Sequence, residues 1–268
     1  MAILTVKDLN YSVKNKVLYT DASFDLNNGE HMGIVGRNGV GKSTLVNMIN
    51  GMVEVDNGLI QWAKNIRVGY LDQHAHIQGD ITILNFLKKA FEWMFETEKE
   101  IENLYGKMAE EYTDELAEKI DKLQTTLNSN DFYSLEGKIM KVATGLGINV
   151  FGIDTKLANL SGGQRAKVIL AKLLLESPDV LLMDEPTNFL DKNHVSWLTN
   201  YLSNYQGTFI IISHDHEFLN SVTNCIIDIE FTKIKRYTGN FQQYLRLKEI
   251  NTENYVKEYE KQQVTISK

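Results

Sequence analysis

Gly36-Arg37-Asn38-Gly39-Val40-Gly41-Lys42-Ser43 decides the reading of this chain. Glycine, four residues, then Gly-Lys-Ser is the order of a loop whose backbone wraps a phosphate chain. The glycines let amides turn inward, and Lys42 brings a positive charge to the terminal phosphates. Ser43 offers a hydroxyl to Mg²⁺, Thr44 follows it into the first helical turn, and a helix N-terminus favours an anion. The surroundings agree: His31 to Val35 is short and mostly apolar, as a strand entering the loop must be. Ser43 to Ile49 has helical character up to Gly51, a plausible stop.

Outward from the loop, Val180 to Met183 and Phe209 to Ile212 are continuous apolar runs, and Ile66 to Leu71 reads as another strand. Such runs suit parallel strands covered on both faces. Leu4 and Val6, then Ala22, Phe24 and Leu26, alternate with polar residues as half-buried antiparallel strands do. The core is therefore α/β. From about Thr82 to Asn128 there is no proline, and apolar residues recur at helical spacing through Leu87, Phe91, Met94, Ile101, Leu104, Ile120 and Leu127. Tyr112-Thr113-Asp114 offers a turn and an N-cap, which leaves two readings, an antiparallel helical hairpin or two ordinary helices packed on the body. Phe241 to about Lys268 reads as a helix leaving the domain.

With 268 residues, 43% of them hydrophobic and 24% charged, the composition is that of a soluble globular protein and excludes disordered and fibrous classes. The one cysteine, Cys225, cannot form an intramolecular disulfide, which points to a reducing compartment and a packing role. No apolar run reaches the roughly 18 residues of a membrane helix. The first residues lack the pattern of a secretory signal, so a cytoplasmic location is expected. The net charge of -7 is concentrated: Glu92 to Asp121 carries -8, which leaves +1 for the rest, and Lys233 to Lys268 carries +4. A negative total therefore does not exclude a nucleic-acid partner.

Asp184 and Glu185 stand at the end of the Val180 run. A Mg²⁺ held by Asp184 and Ser43 would compensate buried charge there, and Glu185 could polarise the water attacking the γ-phosphate. His214 follows a second apolar strand and can emerge at the same sheet edge. Leu160-Ser161-Gly162-Gly163-Gln164 precedes a helical run from Arg165 to Leu175 and offers a hydroxyl, backbone amides and a helix N-terminus to an anion.

Together Gly36 to Ser43, Gln73, Leu160 to Gln164, Val180 to Glu185, Leu190-Asp191 and His214 resemble the motif set of ATP-binding cassette (ABC) domains, in order, over residues 1–240. The resemblance implies the P-loop NTPase fold of ABC ATPases. Its parts are an antiparallel β subdomain, a mostly parallel core sheet, a helical signature subdomain and an arm-like helical insertion at about 82–128. It implies ATP hydrolysis with Mg²⁺. Gly36, Arg37, Asn38, Gly39, Val40, Gly41, Lys42, Ser43 and Thr44 would bind ATP, with Ser43, Gln73 and Asp184 at the metal and Glu185, His214 and Gln73 catalytic. Leu160, Ser161, Gly162, Gly163 and Gln164 would close over ATP held by a second cassette, with Asp191 at the pair interface. The adenine-stacking aromatic of the family aligns with Val13; Tyr11, two residues earlier, is the candidate substitute.

Within the family, Glu185-Pro186-Thr187-Asn188-Phe189-Leu190-Asp191 and Tyr237-Thr238-Gly239-Asn240-Phe241 resemble the ABC-F subfamily. That resemblance implies a soluble protein with two cassettes in one chain, acting at the ribosome on rRNA and tRNA, in translation or antibiotic resistance. One cassette is present here. The expectation is the N-terminal half of a tandem protein, with residues 241–268 the start of a helical linker and the second cassette supplied by the same full-length chain or a homodimer. The rival readings are the ATPase subunit of an ABC membrane transporter, and a nucleotide-binding module without turnover, which the intact Glu185 and His214 oppose.

Overall fold

The computed structural model describes residues 1–72 and 80–266, with the side chains of the final helix described as far as Glu253. The chain opens with β1 (Ala2–Val13), β2 (Lys16–Asn27), β3 (His31–Gly36), α1 (Lys42–Ile49), β4 (Asn57–Trp62) and β5 (Val68–Tyr70). Helices follow: α2 (Ile83–Lys88), α3 (Glu92–Glu110), α4 (Asp114–Ser129), α5 (Leu135–Gly145) and α6 (Gly162–Glu176). The last part alternates: β6 (Val180–Asp184), α7 (Lys192–Ser203), β7 (Thr208–Ile212), α8 (His216–Val222), β8 (Cys225–Glu230), β9 (Lys233–Thr238) and α9 (Phe241–Ile266). These elements form two compact units, one of Met1–Leu71 with Pro178–Lys268 and one of Asp72–Ser177.

The first unit contains two sheets. The smaller is antiparallel, in the order β2-β1-β4. The larger runs β5-β6-β7-β3-β8-β9 and is parallel except for β9. The uniformly apolar runs become β6 and β7, adjacent and interior, as burial on both faces requires. Of the expected Ile66–Leu71 strand, Val68–Tyr70 is regular, and at its start the Arg67 amide donates to the Asp179 carboxylate at 2.8 Å. Leu4, Val6 and Leu26 of the small sheet, Ile34, Leu182 and Ile210 of the large one, and Leu45 and Val46 of α1 share one core. The result that matters for function is the order β6-β7-β3, which brings the C-terminal ends of three strands to one edge.

In the second unit α3 and α4 form a hairpin. Thr113 caps α4, its hydroxyl accepting from the Leu116 amide at 3.2 Å. Met94, Ile101 and Leu104 are buried on one helix and Ile120 and Leu127 on the other. Lys119 pairs with Glu100 at 2.6 Å, and Gln124 donates to the Tyr105 hydroxyl at 2.8 Å. Glu102, Glu110, Glu118 and Asp121 remain exposed, so the local excess of acid is a solvated face. Among the described residues no helix is long and apolar enough to cross a membrane.

Truncating Ile210, fully buried in β7, to alanine is expected to cost about 2–5 kcal/mol. Thr113→Ala, which removes only a cap, should cost about 1 kcal/mol. Urea unfolding curves of the two variants check the ranking; a larger loss for Thr113→Ala would refute it.

Candidate functional site

The loop after β3 takes its shape from its glycines. Gly36 has φ 146° and Gly41 φ 116°, values that side chains resist. A Cβ on Gly36 would lie 2.7 Å from the Ile229 carbonyl, and one on Gly41 would lie 2.5 Å from the Tyr19 hydroxyl. Gly41 is the N-cap of α1, so the helix starts at Lys42 with no side chain covering its first amides. Those amides have no partner within a helix, and they are what a phosphate would meet. Lys42 is only 8% exposed. Its ammonium is held by the Gly36 carbonyl at 2.9 Å and the Arg37 carbonyl at 3.3 Å, as a buried charge requires.

β6 delivers the carboxylates. Asp184 pairs in register with Ile212 of β7, and the amide of Glu185 then donates to the Ile212 carbonyl at 2.9 Å. Glu185 itself has φ 49°, a left-handed conformation unusual for a side-chain-bearing residue and concentrated at functional sites. It faces His214, which follows β7: the His214 amide lies 3.4 Å from Oε2 and its Nε2 lies 3.5 Å from Oε1. Burial pushes the Glu185 carboxyl above its ordinary value; His214 and Lys42 oppose the shift, and Asp184 adds to it.

Lys42, Ser43, Thr44, Asp184, Glu185 and His214 line one cleft of about 490 Å³, with Asn38, Gly39 and Gly41 on its loop side. Gly36, Arg37 and Val40 instead face an adjoining hollow of about 560 Å³ that Lys42 and His214 share. Tyr11, the candidate for the base, is not among the residues that line this cleft. Val13 lines the cleft, whereas Tyr11 pairs across the strands with Tyr19 and packs on the core. Between Tyr11↔Tyr19 and Ser12↔Val17 the pairing skips Leu18, so the irregularity of the hairpin lies on β2. Gln73 lies outside the described residues.

A cation fits the donor set. Ser43 and Asp184 reach the same cleft, but among the described residues no group of three or more His, Cys, Asp or Glu forms a cage. Two hard oxygen donors, with the rest supplied by phosphate and water, is the usual environment of Mg²⁺.

Two further residues were not legible as site residues. Lys16 of β2 donates to the Gly39 carbonyl at 2.6 Å, and the buried Tyr19 donates to the Gly41 carbonyl at 2.5 Å. No motif marks either, because their role depends on β2 passing beneath the loop. In the second unit Ser161 caps α6 in a reciprocal box: its hydroxyl accepts from the Gln164 amide at 3.3 Å, and the Gln164 side chain accepts from the Ser161 amide at 2.9 Å. Leu160 is buried behind them, while Gly162 and Gly163 are exposed. In the first unit Asp191 caps α7, accepting from the amides of Asn193 at 3.1 Å and His194 at 3.2 Å.

Comparison with known proteins agrees with this architecture. A family profile described as ABC transporter matches residues 19–188, and a second with the same description matches residues 227–268. The chain is 44% identical over its whole length to YfmM of Bacillus subtilis, an uncharacterized ABC transporter ATP-binding protein, and spans 52% of it. It is 33% identical to the energy-dependent translational throttle protein EttA of Mycobacterium tuberculosis, over 92% of this chain and 44% of that one. It is also 32% identical to ABC transporter F family member 2 of Arabidopsis thaliana, over 97% and 39%. The chain thus spans about half or less of the length of these relatives. In fold it is similar to the ATP-binding subunit of an ABC transporter, with TM-score 0.64 and 17% identity over 88% of this chain and 90% of that one. A phosphate loop, carboxylate pair and histidine at one strand edge, under a profile that covers most of the chain, establish that it belongs to the ABC transporter ATP-binding cassette family, with F-type members among its relatives.

Proposed function

We propose that this chain binds ATP with Mg²⁺ and hydrolyses it to ADP and phosphate, in a site completed by the signature segment of a second cassette. The observation that carries the proposal is the single cleft that collects Lys42, Ser43, Asp184, Glu185 and His214 from the ends of three neighbouring strands. Lys42 and the first amides of α1 meet the phosphates. Ser43 and Asp184 would hold Mg²⁺, whose charge would help neutralise the phosphates. Glu185 takes the proton of the attacking water, with His214 fixing its carboxylate, and Gln73 contributes at the metal. The placement of Glu185 against His214 in that cleft supports turnover over mere binding. Residues 1–240 then act as one cassette, Ser161 and Gly163 serve the partner's nucleotide, Asp191 meets the partner, and residues 241–268 begin the linker.

The setting we propose is cytoplasmic and ribosomal: one half of a tandem F-type protein acting in translation or antibiotic resistance, in contact with rRNA or tRNA. The name of EttA supports translation, and that of the Arabidopsis relative an F-type protein; the Glu185–Asp191 run, the helical hairpin α3–α4 and the outgoing α9 agree. The name of YfmM supports the rival setting, an ATPase subunit of a transporter. Sedimentation of the Glu185→Gln protein with ribosomes and ATP separates them. ATP-dependent co-migration supports the first setting, and recovery in membrane complexes the second.

Lys42→Ala should lower phosphate release by about 10²–10³-fold, the usual effect of removing one preorganised charge contact. Unchanged release would refute the assignment of the site. Glu185 yields a second expectation through linkage. Its folded carboxyl binds a proton more tightly than the unfolded one. Stability therefore falls as pH rises through the window between the two values, and the loss is complete above the folded value. Glu185→Gln has no charge to bury, so it should melt higher than the parent at neutral pH. That gap should close on acidification through the carboxylate range. Thermal melts without nucleotide check the sign, and a gap that widens in acid would be contrary to it.

A further inference from the structure

The phosphate loop is held from the outside by residues that no motif assigns. β1 and β2 form a hairpin in which Val13 pairs with Lys16 and Tyr11 with Tyr19. β2 passes under the loop, and from it two side chains reach two loop carbonyls: Lys16 to Gly39 at 2.6 Å and Tyr19 to Gly41 at 2.5 Å. Tyr19 is among the largest fully buried side chains, 1% exposed, and its hydroxyl ends against the glycine that caps α1. The Gly41 carbonyl also takes the Leu45 amide at 2.9 Å, so it is fixed by donors from two elements.

A trans peptide carries its C=O and N–H on opposite sides. Fixing the Gly41 carbonyl toward Tyr19 therefore aims the Lys42 amide the other way, toward the cleft. The same reasoning gives Lys16 its place: with the Gly39 carbonyl bound to an ammonium, that oxygen is kept from facing an incoming anion, which it would repel. Lys16 also lines the cleft and adds positive charge to its rim. Donors arranged before the ligand arrives cost no reorganisation on binding.

We infer that Tyr19 and Lys16 are positioning residues of the phosphate site, which hold the loop with its amides inward and set affinity for the β-phosphate and γ-phosphate independently of the base. The inference rests on the nucleotide reading above and extends it to residues outside the loop.

The test is equilibrium binding of a fluorescent ADP analogue to the parent, Tyr19→Phe and Lys16→Met, with competition by pyrophosphate and by adenosine. Tyr19→Phe keeps the ring and removes only the hydroxyl. Lys16→Met changes an exposed residue and serves if the buried variant fails to fold. Each variant is expected to bind the ADP analogue and pyrophosphate about 5–10-fold more weakly, the size of one net hydrogen bond, with competition by adenosine unchanged. A purely structural role would lower the melting temperature and weaken all three ligands alike. Variants that bind pyrophosphate within twofold of the parent, or that lose adenosine as much as pyrophosphate, overturn the inference. A parent that binds neither ADP analogue nor pyrophosphate would instead overturn the nucleotide reading itself.

Discussion

The site depends on one requirement, that a short run of backbone present its N–H groups to an anion while its carbonyls are satisfied elsewhere. Between Gly36 and Gly41 four carbonyls have donors from inside the protein. Lys42 holds those of Gly36 and Arg37, which the Val40 amide also meets; Lys16 holds that of Gly39, and Tyr19 and Leu45 hold that of Gly41. The buried ammonium of Lys42, proposed above as a phosphate ligand, is thus also part of the loop's frame. A loop so held needs a rigid floor, and the floor is β3, paired on both sides in the interior of the large sheet. The parallel arrangement then follows from function as much as from stability. It brings β6 and β7 to the same edge, so that carboxylates and imidazole meet the loop without any long-range adjustment.

The elements legible from sequence are those in which one physical demand dominates locally. Positive φ at Gly36 and Gly41 can be met cheaply only by glycine, so the loop is visible as a spacing. Burial on both faces leaves no polar position in β6 and β7, and a helical period with Thr113 at its start marks α3 and α4. What escaped reading is where tertiary context overrides such signals. The turn joining β8 to β9 sets Phe231 and Thr232 at φ 50° and 64°, with neither glycine nor asparagine to announce it. The irregularity at Leu18 of β2 shows nothing in composition, yet Leu18 and Val13 line the cleft while Tyr11 packs against the core. Tyr19 looks like a core aromatic, and is one; only the fold reveals where its hydroxyl ends.

Glu185 illustrates how the two kinds of information combine. Its neighbours in sequence place it at a strand end, but its chemistry comes from three sources that sequence does not order: burial, the adjoining Asp184 and the facing His214. Two adjacent carboxylates repel one another, an effect that Lys42 and His214 oppose at Glu185. Mg²⁺ and nucleotide would relieve that repulsion together, which couples metal binding to substrate binding without any conformational device. The left-handed backbone at Glu185 belongs to the same economy, since it turns the chain sharply after β6 and leaves the carboxyl facing His214.

The signature segment poses the complementary problem. Ser161 and Gln164 already satisfy one another across the first turn of α6. A phosphate held by a second cassette would compete for the same amides. The competition is open, because the capping bond to the Gln164 amide is long at 3.3 Å, and Ser161, Gly162 and Gly163 are all exposed. The cap keeps the helix start intact, and under the proposed role an anion would replace it with a charge-assisted bond to the same donors. A helix start capped by a side chain that an anion can displace is stable alone and still available to a partner, which a start buried against its own domain would not be.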